Sequence, residues 1–339
     1  GNPMTTGLVL GKFAPLHRGH QLLIETSLVE TQQTVVLIYD CPDLAVPPLP
    51  VRAQWIRDLY PQVHVLEAWD GPTETGLDPA ITQQHDHYLQ RRLADWPITH
   101  FFSSEPYGEH VSRALQAVDR RVDVARNRVP ISATAIRTNP FAQRQFLHPR
   151  VYRDLLTHVV FLGAPSTGKT TLACEMAKRL QTVWMPEYGR EYWEAHQSER
   201  RLSREQLLEI ALEHRRREDA LLMDANQYFF VDTDATTTLQ FSLYYHGDAV
   251  GELWNLAQQC RHRYDVFFLC LPDIPYDDTW DRSGDANRIE MHRRITSDLR
   301  TRKIHFYPIS GDLEERCTQV CDVLDAHRRQ RESSLVERP

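Results

Sequence analysis

Two stretches of this chain share one form, an apolar run, a loop marked by glycine and then an amphipathic run, and few folds accommodate that form twice. In the first, Leu8-Val9-Leu10 leads into Gly11-Lys12-Phe13-Ala14-Pro15-Leu16-His17-Arg18-Gly19-His20, and Gln21 to Val29 follows. In the second, His158 to Leu162 leads into Gly163-Ala164-Pro165-Ser166-Thr167-Gly168-Lys169-Thr170, which opens a run from Thr171 to Leu180. A strand that feeds a helix through a loop is the unit of a parallel sheet. Ligands of such sheets gather at the carboxyl ends of the strands. Free N–H groups and the dipole at a helix start favour an anion there. At 339 residues the chain has length for two cores. The reading is therefore α/β, with a first domain over 1–150 and a second over 157–330. Asn139-Pro140 and His148-Pro149 mark the break.

The loops carry chemistry. His17 and His20 are three apart, so both imidazoles can face one ligand and donate hydrogen bonds to phosphate oxygens. Gly11 is read as a tight turn and Gly19 as a close approach of backbone to the ligand. The alternative is a turn with two solvated histidines. Late in the same half, Ile131-Ser132-Ala133-Thr134-Ala135-Ile136-Arg137 has helix-start chemistry, with Ser132 or Thr134 as N-cap. Together with Arg137 it forms either a second phosphate cradle facing the histidines or an ordinary capped helix. The second loop fits the P-loop pattern of glycine, four residues, then Gly-Lys-Thr. Gly163, Ser166, Thr167, Gly168 and Thr171 place backbone around the phosphates of ATP, Lys169 neutralises β and γ charge, and Thr170 is a Mg²⁺ ligand. Gln227 to Asp234 is an apolar strand ending in Asp232 and Asp234, an arrangement that fixes Mg²⁺ or its waters. Asp232 alternatively caps the next helix. Val183 to Arg190 ends another strand in Glu187, where a carboxylate can orient an acceptor hydroxyl and take its proton.

Between these landmarks strands are expected at 34–39, 64–68 and 98–103, with helices at 51–57 and 82–93. In the second half strands are expected at 227–232, 265–271 and 304–309. Helices are expected from the capping box Ser203-Arg204-Glu205-Gln206 to Leu222 and at 313–326, with fraying beyond His327. The polar stretch 276–302 carries Arg282, Arg288, Arg293, Arg294 and Arg300. It reads as a solvated face within which one arginine closes over a γ-phosphate. A net charge of −7 argues against non-specific nucleic-acid binding. No run of apolar residues is long enough for a membrane span, and six scattered cysteines read as reduced thiols of a cytoplasmic protein. His85-Asp86-His87 reads as solvated surface.

The first loop resembles the His-x-Gly-His signature of the nucleotidyltransferase superfamily, and Ile-Ser-x-Thr-x-x-Arg is similar to that of nicotinamide mononucleotide (NMN) adenylyltransferases. Gly-Lys-Phe-Ala-Pro-Leu-His, Ser103-Ser104-Glu105-Pro106-Tyr107-Gly108 and the Asp123…Arg126 pair resemble the bifunctional NadR family. So do Glu187-Tyr188-Gly189-Arg190, Asp232-Thr233-Asp234 and Pro272-Asp273-Ile274-Pro275-Tyr276…Arg282-Ser283. The resemblance implies a Rossmann-like nucleotidyltransferase domain followed by a P-loop kinase domain. It implies phosphorylation of nicotinamide riboside to NMN, then adenylyl transfer from ATP to NMN to give NAD and pyrophosphate. His17, His20, Ser132 and Arg137 would hold ATP phosphates, with Gly11, Lys12, Phe13 and Thr134 in the same loop pair. Arg52 and Trp55 either hold NMN or pack their helix. Tyr188, Arg190 and Asp234 would contact the riboside, Arg282 the nucleotide, and Tyr276 would stack on nicotinamide. The resemblance departs in two places. No room stands before Leu8 for the helix-turn-helix of some members, so repression of transcription is not expected. Asp277-Asp278-Thr279-Trp280-Asp281 is not typical of the lid. Partners are thus the riboside, NMN and NAD, without nucleic acid or membrane, and a homo-oligomer is compatible with the chain. The competing readings are an ATP sulfurylase fused to an adenylylsulfate kinase, and a nucleotide sensor with little turnover.

Overall fold

The computed structural model describes residues 3–76, 78–105, 108–198, 201–275 and 285–336. The chain divides into two compact units, Gly1–Leu155 with Glu332–Pro339, and Leu156–Arg331. Among the described residues no helix is long and apolar enough to cross a membrane.

In the first unit the elements run β1 (Thr6–Gly11), α1 (Arg18–Glu30), β2 (Gln33–Tyr39), α2 (Leu49–Leu59), β3 (His64–Ala68), α3 (Pro79–Arg92), β4 (His100–Ser103), α4 (Glu109–Leu115), β5 (Val118–Arg121), α5 (Ala133–Thr138) and α6 (Pro149–Leu155). The sheet is parallel throughout, in the order β3-β2-β1-β4-β5. Central β1 is covered on both faces, which is why it reads as an unbroken apolar run rather than an alternating one. Leu8 pairs with Val35 and Val9 with Val36. The order reverses at β1, so the loop after it opens into the crevice where parallel sheets bind ligands. Pro50 sits in the first turn of α2, where its missing N–H removes no helical bond. The segment α4–β5, an edge strand and its lead-in helix, was not expected from periodicity.

The second unit runs β6 (Thr157–Leu162), α7 (Lys169–Arg179), β7 (Trp184–Met185), α8 (Tyr188–His196), α9 (Arg204–Leu221), β8 (Tyr228–Asp232), α10 (Ala235–His246), α11 (Gly251–Gln259), β9 (Val266–Cys270), α12 (Asp285–Thr301), β10 (Tyr307–Ile309) and α13 (Leu313–Val336). Its strands are also all parallel, in the order β10-β9-β6-β8-β7. Phe161 stacks between Phe230 and Phe268 at the centre of the core. Three expectations change. The polar stretch is helix from residue 285, because Met291, Ile295 and Leu299 recur at helical spacing and bury one stripe. The strand expected at 304–309 shortens to β10, because Lys303 takes a left-handed φ of 57° in the turn before it. The last helix continues to Val336 rather than fraying at His327.

One contact sets how closely α1 can lie on β1. A Cβ built on Gly7 would stand 1.9 Å from Ser27 Oγ and 2.8 Å from the Phe102 ring. Ser27 is itself tied to Thr34 at 2.7 Å, so it cannot swing away. Gly7→Ala is expected to lower stability by about 2 kcal/mol through overpacking, read as a lower urea midpoint with an unchanged m-value.

Candidate active sites

The first site is built on the loop between β1 and α1. Phe13 takes the left-handed conformation there, with φ 48°. Gly11 does not: its missing side chain makes room for the Phe13 ring, 3.1 Å from where a Cβ would stand. Gly19 is likewise small for a neighbour, since a Cβ would lie 2.7 Å from the His17 ring. Both glycines thus make room for side chains of the loop itself. Lys12 is exposed, whereas Phe13 is buried edge-on against His20.

His17 is the N-cap of α1, its Nδ1 accepting from Gly19 N–H at 3.0 Å, while His20 Nδ1 accepts from His17 N–H at 3.1 Å. The rings stack with centroids 3.7 Å apart. With both Nδ1 atoms accepting, the neutral tautomer carries its hydrogen on Nε2 in each ring. Burial, helped by the nearby Arg126 charge, pushes His17 down to about 4. Burial, His17 and Arg126 push His20 well below the ordinary histidine range. The pair is therefore a set of neutral N–H donors at neutral pH, not two cations. Ser132 caps α5 by accepting from Ala135 N–H, and Thr134 accepts from Arg137. Arg137 donates to Ala14 O at 2.7 Å, so this capped helix meets the first loop. Arg126, whose side chain ion-pairs with Glu105 at 3.1 Å, completes this positive rim, while Asp123 closes the intervening turn by accepting from Arg128 and Val129 N–H.

Two expected NMN contacts are not available. Trp55 is 0% exposed and its Nε1 donates to Asp154 at 2.7 Å. Arg52 is 1% exposed and donates to the carbonyls of Pro47, Tyr39 and Lys12. Both belong to the packing of α2, the second of their two readings. The aromatic face at the carboxyl edge is instead Trp69, directly after β3 and 56% exposed. Its only sequence signal is a bulky aromatic just past a strand end.

In the second unit, Gly163 and Gly168 have φ 149° and 84° and Ser166 has φ 60°, a run of left-handed backbone that curls the loop. A Cβ on Gly163 would stand 2.9 Å from Cys270 O. Thr167 Oγ1 and Lys169 Nζ both donate to Ala164 O, at 2.7 and 2.9 Å. Thr170, the second residue of α7, donates to Asp232 Oδ2 at 2.6 Å, and Thr171 follows it in the first turn. A hydroxyl and a carboxylate in contact at the loop exit are hard oxygen ligands suited to Mg²⁺. Asp232 is thus a strand-end carboxylate at the loop, and the residue that caps α10 is Asp234. Between them Thr233 has φ 73°. Glu187 borders a cavity with Asp234. Tyr188 instead packs its ring under Arg217, and Arg190 is exposed. Arg288, expected on a solvated face, is buried and donates to Ser166 O and Ile274 O. Arg316, which no motif marked, is 2% exposed and donates to the carbonyls of Thr167, Leu271 and Gly311. Tyr276, Arg282, the 277–281 acidic run and Pro106-Tyr107 lie outside the described residues.

The family model described as an AAA domain matches residues 158–316, the segment that holds this second loop. The trifunctional NAD biosynthesis/regulator protein NadR of Escherichia coli (strain K12) is 26% identical over 345 residues, covering 91% of this chain and 79% of that protein. The protein of the same name from Salmonella typhimurium is 27% identical over 306 residues, covering 80% of this chain and 70% of that one. A crystal structure of a NadR protein in complex with NAD and AMP-PNP shares the fold with a TM-score of 0.52 at 21% identity, covering 91% of this chain and 92% of that chain.

The buried histidines make a stability prediction with a definite sign. A folded-state pKa below the unfolded value means that the unfolded chain binds more protons, so stability falls as pH drops through the unfolded range toward the folded value. From an unfolded value of about 6.5, His17 alone is expected to remove about 2 kcal/mol between pH 8 and pH 5. His17→Asn keeps a capping side chain and is expected to flatten that loss in urea titrations.

Proposed function

We propose, from the premise that this chain is a relative of the NadR proteins, that it is a two-step enzyme of NAD biosynthesis. The second unit phosphorylates nicotinamide riboside to NMN with ATP, and the first unit joins NMN to the adenylyl group of a second ATP, releasing pyrophosphate. The observation that carries this reading is the pairing of two chemically different phosphate loops in separate units: neutral histidine N–H donors in one, a lysine and a hydroxyl–carboxylate pair in the other.

The difference suits the two reactions. In adenylyl transfer the acceptor phosphate supplies its own oxyanion, so no protein nucleophile is needed. The protein must align the reactants and stabilise charge moving onto pyrophosphate. His17 and His20 aim Nε2–H groups from a helix start, and Arg137 and Arg126 add positive charge at the rim. In phosphoryl transfer the acceptor is a neutral hydroxyl. Glu187, past the end of edge strand β7 and on the cavity that Asp234 also borders, orients it and takes its proton, while Lys169 and the loop N–H groups hold the γ-phosphoryl. Mg²⁺ held by Thr170 and Asp232 would neutralise charge across the β- and γ-phosphates. The exposed indole of Trp69 offers the pyridine ring of NMN a face to stack on.

Incubated with nicotinamide riboside and Mg·ATP, the protein is expected to form NMN and then NAD; formation of neither overturns the reading. Lys169→Ala is expected to slow riboside phosphorylation roughly a hundredfold or more while leaving NMN adenylylation intact. His20→Ala should do the reverse, and loss of both activities in either variant would show that the reactions are not divided between the units. Trp69→Ala is expected to raise KM for NMN about tenfold with KM for ATP unchanged; an unchanged KM for NMN removes Trp69 from the acceptor site.

A further inference from the structure

At the carboxyl edge of the second sheet lies a cavity of about 20 Å³, bordered by Glu187, His214, Thr233 and Asp234 and closed by apolar side chains of α9 and α10. That volume holds about one oxygen atom with its hydrogen. Two of its polar walls have open valences among the described residues: neither His214 Nε2 nor Asp234 Oδ2 has a hydrogen-bond partner. The residues are 7% and 2% exposed, so each orphan carries a desolvation penalty unless a ligand meets it.

The surroundings fix what each can do. His214 Nδ1 accepts from Tyr188 N–H at 3.4 Å, which leaves the ring hydrogen on Nε2. The Thr233 backbone lies near the ring, yet Nε2 makes no bond to it. Glu218, one turn along α9, is engaged elsewhere, by Tyr264 at 2.9 Å and Arg263 at 3.4 Å. Asp234 uses Oδ1 to cap α10, accepting from Thr236 and Thr237 N–H, so Oδ2 is its free acceptor. Burial holds the imidazole below its ordinary range and the carboxyl above its own. His214 and Asp234 thus bring one open donor and one open acceptor to the border of the same small cavity. A carbonyl would face the carboxylate lone pairs, and an amide N–H₂ would face the imidazole hydrogen. A hydroxyl satisfies both at once.

Resting on the kinase reading above, we infer that this cavity seats one secondary hydroxyl of the acceptor's sugar, which donates to Asp234 Oδ2 and accepts from His214 Nε2–H. His214 then determines specificity for ribosides over their deoxy analogues. A site whose buried groups are left unpaired rejects the analogue that lacks the hydroxyl.

The test compares nicotinamide riboside with its 2′-deoxy and 3′-deoxy analogues in the full chain with Mg·ATP. The wild type is expected to favour the riboside over one of them by roughly a hundredfold in kcat/KM. His214→Phe, which keeps the ring volume but removes the donor, should raise KM for the riboside about tenfold or more while changing that deoxy analogue about twofold or less. His214→Gln, which can restore a donor, should recover part of the loss. Equal use of all three acceptors by the wild type, or an equal slowing of all three by His214→Phe, overturns the inference. Absence of riboside phosphorylation in the wild type fails the kinase reading itself, a different result from unselective phosphorylation.

Discussion

Each phosphate loop is held from behind by a buried arginine committed to backbone carbonyls, and both sites depend on that arrangement. A loop that turns its N–H groups toward an anion turns carbonyls the other way, into protein where water cannot reach them. Arg52 answers Lys12 O, Tyr39 O and Pro47 O in the first unit. Arg316 answers Thr167 O, Leu271 O and Gly311 O in the second. A guanidinium has five donors in a rigid plane and can satisfy several carbonyls that a lysine ammonium could reach only one or two at a time. The charge is partly balanced, by Asp40 at 3.6 Å in one case and by Asp273 in the other. The remaining positive potential lies under the loop, so on the proposed reading the same group supports the loop's shape and its affinity for phosphate.

The loops then diverge in the donors they present. In the first, both histidines bind their neighbours through Nδ1, and desolvation with the Arg126 charge holds both below the ordinary histidine range, which leaves directional, uncharged donors. In the second, Lys169 brings a full charge, parked on Ala164 O within the loop. On the proposed reading, neutral donors suit a first site that binds a triphosphate and then releases pyrophosphate without holding it too tightly. A cation suits the transfer of a phosphoryl group whose charge spreads over three oxygens.

What could be read from the residues alone follows from what is local. Strand–loop–helix passages, the P-loop spacing and the Ser203 capping box are set by neighbours in the chain, and they stand where expected. The sequence leaves two roles open for Arg52 and Trp55 because the partners that decide between them lie elsewhere in the chain, Asp154 being 99 residues from Trp55 and Lys12 being 40 from Arg52. Helix α10 gave no helical periodicity because Ala235 through Ser242 are all buried, leaving no polar face to mark its period. Helix α12 did carry a period, and its arginines obscured it. Arg288 and Arg316 show why counting arginines fails: two of the most deeply buried look no different in sequence from those in solvent.

The two carboxylates at the end of β8 show how a local strain makes one strand end serve two purposes. In a regular strand, residues two apart point to the same face, so Asp232 and Asp234 would crowd together and repel. Thr233 prevents this by adopting φ 73°, an uncommon state for a β-branched residue. Its N–H still bonds Phe161 O at 3.0 Å, so the strand pairing survives to that point, and its hydroxyl donates to Asp232 at 3.1 Å. Past it the chain turns, and Asp234 leaves the Thr170 side to begin α10. One carboxylate thus stays at the loop, bonded to Thr170, while the next lines the small cavity against α9 and α10. On the proposed kinase reading the two reactants must meet within bonding distance, and holding them with groups two residues apart on one rigid strand is a direct way to fix that spacing.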